Sequence, residues 1–131
     1  MKPPVETLRI SQQGREQLIK LRRQTGIEHW NVLCRWAFCV SMRESTAPLK
    51  ASDKLEGGVE MTWKVFSGDL SEFFSALCLQ RAIQDGLPPG QEGAAICLRA
   101  HIHRGLAFLA SGKDTRTISD LATRWLNLYA N

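Results

Sequence analysis

No apolar run in this chain is long enough to cross a bilayer. The most apolar stretch, Trp30 to Met42, is interrupted by Arg35, and a spanning helix needs about 20 such residues. No two of the four cysteines stand in a CxxC pair. Cys34, Cys39, Cys78 and Cys97 each lie inside apolar sequence, a spacing that does not supply the closely paired ligands of a zinc site. No signal peptide opens the sequence, so these residues are expected to be reduced, buried thiols of a cytoplasmic protein. A nucleophile elbow, a P-loop and a dinucleotide fingerprint are missing as well. Catalysis therefore has no residue to rest on, and neither a metal nor a cofactor is expected. Internal repeats and low-complexity segments are absent too.

What is present suits one folded unit. The chain has 131 residues, 44% hydrophobic and 23% charged, a balance typical of soluble globular proteins. A single domain over residues 1–131 is expected. The net charge of +4 is small but unevenly placed. Lys2, Arg9, Arg15, Lys20, Arg22 and Arg23 face only Glu6 and Glu16 within the first 23 residues, so this segment carries the whole excess. A localised basic surface captures polyanions, which makes nucleic acid the first partner to consider; the plainer alternative is a solvated helix face.

Periodicity outlines a mainly α fold of about five helices with one or two short strands, near the N-terminus and mid-chain. Thr7 to Ile10 alternates and reads as a strand with Leu8 and Ile10 inward and Arg9 outward. Ser11 is placed to cap a helix carrying Gly14, Leu18, Leu21 and Thr25 on one face and ending at Gly26. Its basic residues then share the outer surface. From about His29 to Arg43 runs a helix apolar around nearly its whole circumference, which in so small a chain calls for a second subunit to complete its burial.

Ser45 to Gly58 reads as a surface loop bearing Lys50 and Lys54. Val59 to Phe66 alternates, which predicts a second strand or an extended segment with Val59, Met61, Trp63 and Val65 on one face and Glu60, Thr62 and Lys64 on the other. Asp69 is expected to cap a helix presenting Leu70, Phe73, Phe74 and Leu77 and ending near Gly86. After Pro88-Pro89-Gly90, a long helix is expected from Gln91 to Ala110 with Leu98, Ile102, Leu106 and Leu109 aligned. A capping box at Thr117 to Asp120 predicts one more.

The opening order of strand, helix, helix is similar to the ribbon-helix-helix arrangement, in which strands of two subunits pair in a DNA groove. His101 and His103 lie two apart on a helix and point about 200° from each other, so they do not share an ion, and no Asp or Glu stands at helical spacing to orient either. The pair reads as incidental.

Longer blocks carry a specific resemblance. Thr25-Gly26-Ile27, then Trp30-Asn31-Val32-Leu33-Cys34-Arg35-Trp36-Ala37-Phe38, then Trp63-Lys64-Val65-Phe66-Ser67-Gly68, and His101-Ile102-His103-Arg104-Gly105 resemble the DndE family of DNA sulfur-modification proteins, from Leu8 to Ala110. Ser67 departs from it, standing where a second Gly is expected. The resemblance implies a non-catalytic accessory subunit of the bacterial DNA phosphorothioation system. Such a protein forms a homotetramer, binds nicked double-stranded DNA through a basic surface and works with the other subunits of the modification complex. Phosphate contacts are then expected from Lys2, Arg9, Arg15, Lys20, Arg22 and Arg23, with Lys50, Lys54 and Lys64 second. The rival reading is a protein-interaction or scaffold subunit whose basic face docks an acidic partner.

Overall fold

The structure is a computed structural model and describes residues 1–112. The capping box at Thr117 and the helix expected after it lie outside the described residues. Strand β1 (Thr7–Ile10) leads into α1 (Gln12–Thr25) and α2 (Trp30–Met42); after a long loop come β2 (Val59–Thr62), α3 (Trp63–Ser67), a 3-10 turn (Gly68–Leu70), α4 (Ser71–Gln84) and α5 (Gln91–Ser111). The fold is thus mainly helical with one two-stranded sheet.

Local chemistry explains the first half. The Ser11 Oγ accepts the Gly14 backbone N–H, which starts α1, and Gly26 ends it in the left-handed conformation at φ 77°, where a side chain would be strained. The residues buried from α1 are Gly14, Leu18, Leu21 and Thr25, the predicted face. Strand β1 pairs antiparallel with β2, Leu8 opposite Met61 and Arg9 opposite Glu60. The order strand, helix, helix is therefore present, but the strand beside β1 comes from the same chain rather than from a second subunit.

α5 is the centre of the packing. It lies against α2, α4, α1 and β1, and its Leu98, Ile102, Leu106 and Leu109 are fully buried. Contact with α2 is closest at Gly105, where an added Cβ would sit 1.8 Å from the Ala37 carbonyl oxygen. Beside this seam, Phe38, Phe66 and Phe74 form a tight aromatic group, Phe66 and Phe74 being 5.1 Å apart between ring centres.

Two expectations fail in the middle of the chain. Alternation does not continue past Thr62: its Oγ1 accepts the Val65 N–H and caps α3, so Trp63 and Phe66 turn inward while Lys64 and Val65 face out. The side chain of Asp69 caps nothing, because a 3-10 turn precedes α4. The α4 face is rotated accordingly. Phe74, Ser75, Cys78, Arg81 and Ala82 are buried, whereas Leu70 is 51% and Phe73 54% exposed.

Candidate functional site

The sequence-expected cations separate into groups. Arg15, Lys20, Arg22 and Arg23 are exposed along α1 and have no ion-pair partner among the described residues. Arg22 also lies over the Trp30 ring, 5.2 Å from its centre, which fixes it beside the start of α2. Lys64 is exposed on α3, whose Val65 carbonyl accepts the Asn31 amide. The C-terminal end of α1 and α3 therefore both border the first turn of α2.

The remaining candidates lie on other segments of the chain. Arg9 is exposed but sits 3.5 Å from Glu60, its cross-strand neighbour, so much of its charge is answered. Lys2 is exposed ahead of β1. Lys54 is flanked on its loop by Asp53 and Glu56, beside Gln12 of α1. Lys50 lines a different hollow, with Leu87 and Ile96. Arg43, exposed at the end of α2, is a cation that the charge count over the first 23 residues passed over.

Three other arginines hold the loop that carries Lys50 and Lys54. Arg81 is buried and donates to the Met42, Glu44 and Thr46 carbonyls. Arg104 donates to the Ser41 and Thr46 carbonyls, each at 2.8 Å. Arg99 bridges the Arg9 and Ser52 carbonyls at 3.0 and 2.9 Å. A carbonyl left bare beneath the buried Arg81 would cost about 1–3 kcal/mol. These guanidinium groups are engaged with the fold itself.

The histidine pair is structural rather than incidental. Ser41 Oγ stands 2.8 Å from His101 Nδ1 and accepts Arg104 Nε; His101 Nε2 is 2.8 Å from Asp85 Oδ2, and Asp85 Oδ1 accepts Arg81 Nε. The only consistent neutral tautomer has Nε2–H donating to the carboxylate and Nδ1 accepting the Ser41 hydroxyl. Burial pushes the His101 imidazole below the usual histidine range; the Asp85 bond opposes this, and the Arg81 and Arg104 charges reinforce it. Burial would raise Asp85, but the Arg81 and His101 hydrogen bonds outweigh it and hold the carboxyl below its ordinary value. The orienting carboxylate thus comes from the end of α4, which helical spacing within α5 could not reveal. His103 accepts the Ser11 N–H through Nε2 and donates to the Arg99 carbonyl through Nδ1, pinning the start of α1 to α5.

The second helix keeps one side open. Leu33, Cys34, Ala37, Phe38, Val40 and Ser41 are buried, while Val32, Arg35, Trp36 and Cys39 are half-buried around an open cavity of about 290 Å³. Cys34 and Cys39, which lie on the two sides of this helix, have thiols raised by burial to about 12 and about 11. Neither is a nucleophile at neutral pH.

These features define a class: a small, mainly helical domain with a short antiparallel sheet, exposed cations gathered on its first helix and an apolar face left open on its second. Within that class the chain belongs to the DNA sulphur modification protein DndE family, whose sequence profile matches residues 7–117. The fold is shared with a crystal structure of DndE from Escherichia coli B7A, a protein involved in DNA phosphorothioation modification. The two are 24% identical, with a TM-score of 0.61 over 80% of this chain and 97% of that one. No curated protein sequence matches the chain.

Proposed function

We propose that this protein is a non-catalytic, DNA-binding accessory subunit of a DNA phosphorothioation system, acting as a homo-oligomer on double-stranded DNA. The observation that carries the reading is the α1 surface: Arg15, Lys20, Arg22 and Arg23 are exposed with no acidic partner among the described residues, while Arg81, Arg99 and Arg104 are bound to carbonyls. Guanidinium and ammonium groups displayed on one helix face match the phosphate backbone, which supplies affinity without base recognition. Family membership and the likeness to the E. coli protein support the choice of DNA over other polyanions. A preference for nicked duplex fits this mode, since a nick lowers the cost of bending DNA along a basic surface.

Assembly is argued from α2. Its half-buried Val32, Trp36 and Cys39 border an open cavity, and the exposed Val65, Leu70 and Phe73 lie on the α3–α4 segment that meets it. Apolar surface of this kind is normally covered in solution. A homotetramer would set several α1 faces side by side and lengthen the phosphate track. Binding of intact, nicked and single-stranded versions of one duplex tests the proposal: nicked duplex should bind best, and affinity should fall steeply with salt. If no form binds even at low salt, the basic face serves a protein partner and the scaffold reading replaces this one.

A further inference from the structure

Beneath the loop carrying Lys50, three metal-ligand side chains converge that the DNA reading does not use. Cys97 and His101 are one turn apart on α5, and Asp85 closes the end of α4; one ligand atom from each lies within 4.8 Å of the other two. Tetrahedral ligands about 2.0–2.3 Å from a zinc ion stand roughly 3.3–3.8 Å apart, so the triangle needs an adjustment of about 1.5 Å at most, with Asp85 Oδ2 and His101 Nε2 moving apart from 2.8 Å. Thiolate, imidazole and carboxylate from two packed helices are a donor set suited to zinc, and the two anions balance its charge.

The geometry points to a divalent zinc-class site formed by Asp85 Oδ2, Cys97 Sγ and His101 Nε2, with its fourth position open to the adjoining cavity. That cavity, about 160 Å³, is lined by Asp85 and Cys97 together with Ala47, Pro48, Lys50, Leu87, Ile96 and Ala100, while His101 is fully buried. It supplies both an entry path and room for a water or other small ligand. The outer shell is already in place. Arg81 Nε holds Asp85 Oδ1 at 2.8 Å, leaving Oδ2 for the ion. Ser41 Oγ stands 2.8 Å from His101 Nδ1, where it accepts the ring proton once the ion takes Nε2. The exchange balances: the Asp85–His101 hydrogen bond is given up, the imidazole proton moves from Nε2 to Nδ1, and the Cys97 thiol proton leaves to solvent.

A chelator-stripped full-length chain titrated with Co2+ alone provides the test. The site predicts a thiolate-to-cobalt charge-transfer band that saturates at one equivalent and is bleached by Zn2+. Cys97→Ser should abolish the band, while Cys39→Ser leaves it unchanged. In the wild-type chain, Zn2+ should also slow the alkylation of Cys97 seen on long incubation and leave that of Cys39 alone, a readout that holds even if a variant fails to fold. No charge-transfer band in the wild type, a band that survives Cys97→Ser in a folded protein, or equal alkylation of Cys97 with and without Zn2+ would each overturn the site. None of these results bears on DNA binding, which involves other residues.

Discussion

Arg81 ties the end of α4 to the loop after α2. One planar guanidinium satisfies the Met42, Glu44 and Thr46 carbonyls and the Asp85 carboxylate together. Arg81→Ala would leave Asp85 without its cation and the Met42 and Glu44 carbonyls without their donor, while Arg104 still serves Thr46, so we expect a loss of about 3–5 kcal/mol, read as a lower urea midpoint. Arg81→Lys should recover little of it, because an ammonium lacks the planar fork. The thiols give a second expectation. Burial holds Cys39 at about 11 and Cys34 and Cys97 at about 12, so at pH 8 each has few thiolates to offer. Of the four, half-buried Cys39 should be alkylated fastest by a small reagent at pH 8, at roughly one hundredth the rate of an ordinary thiol, and the rate should climb tenfold per pH unit toward 11. Rapid modification of Cys34 would contradict the buried packing of α2. Little of this was legible in the sequence. Cys34, Cys78 and Cys97 are buried as their apolar surroundings predicted and Cys39 only half so, but Arg81, Asp85 and His101 find partners on other elements, which no local spacing reports.

At the level of elements, legibility follows length. In α1, Gly14, Leu18, Leu21 and Thr25 recur over three turns, and α5 repeats its apolar line over a similar span, so periodicity alone picks out both buried faces. Trp63 to Phe66 is too short for that. Four residues satisfy either period, and the Thr62 cap decided for helix. The α2–α5 seam offers a sharper test. Gly105 meets the Ala37 carbonyl so closely that any side chain must push the helices apart. Gly105→Ala should cost at least about 3 kcal/mol by overpacking, despite alanine's better helix propensity. A melting temperature unchanged by that substitution would show that the helices are not in such contact.

For the whole molecule, charge and apolar surface divide the work. The α1 surface meets DNA in our account, and the open side of α2 meets another copy. Val32→Glu, placed on that side, should shift the solution mass toward monomer while leaving the monomer folded, as followed by light scattering and circular dichroism. It should also weaken DNA binding indirectly, since fewer basic faces then share one duplex. The candidate DNA surface was only partly legible in sequence. Charge counting pointed to α1, whose cations are exposed, but it could not see that Glu60 answers Arg9, or that Lys50 sits over a separate hollow. The most direct test compares the wild type with a Lys20→Glu, Arg23→Glu double variant on one nicked duplex across a salt series. Our account predicts a wild-type affinity falling as a power of salt with about 0.9 per phosphate contact. The double variant should bind at least about tenfold more weakly with a slope shallower by about two, at unchanged melting temperature. Equal affinity and equal slope in the two proteins would contradict the assignment of DNA binding to α1.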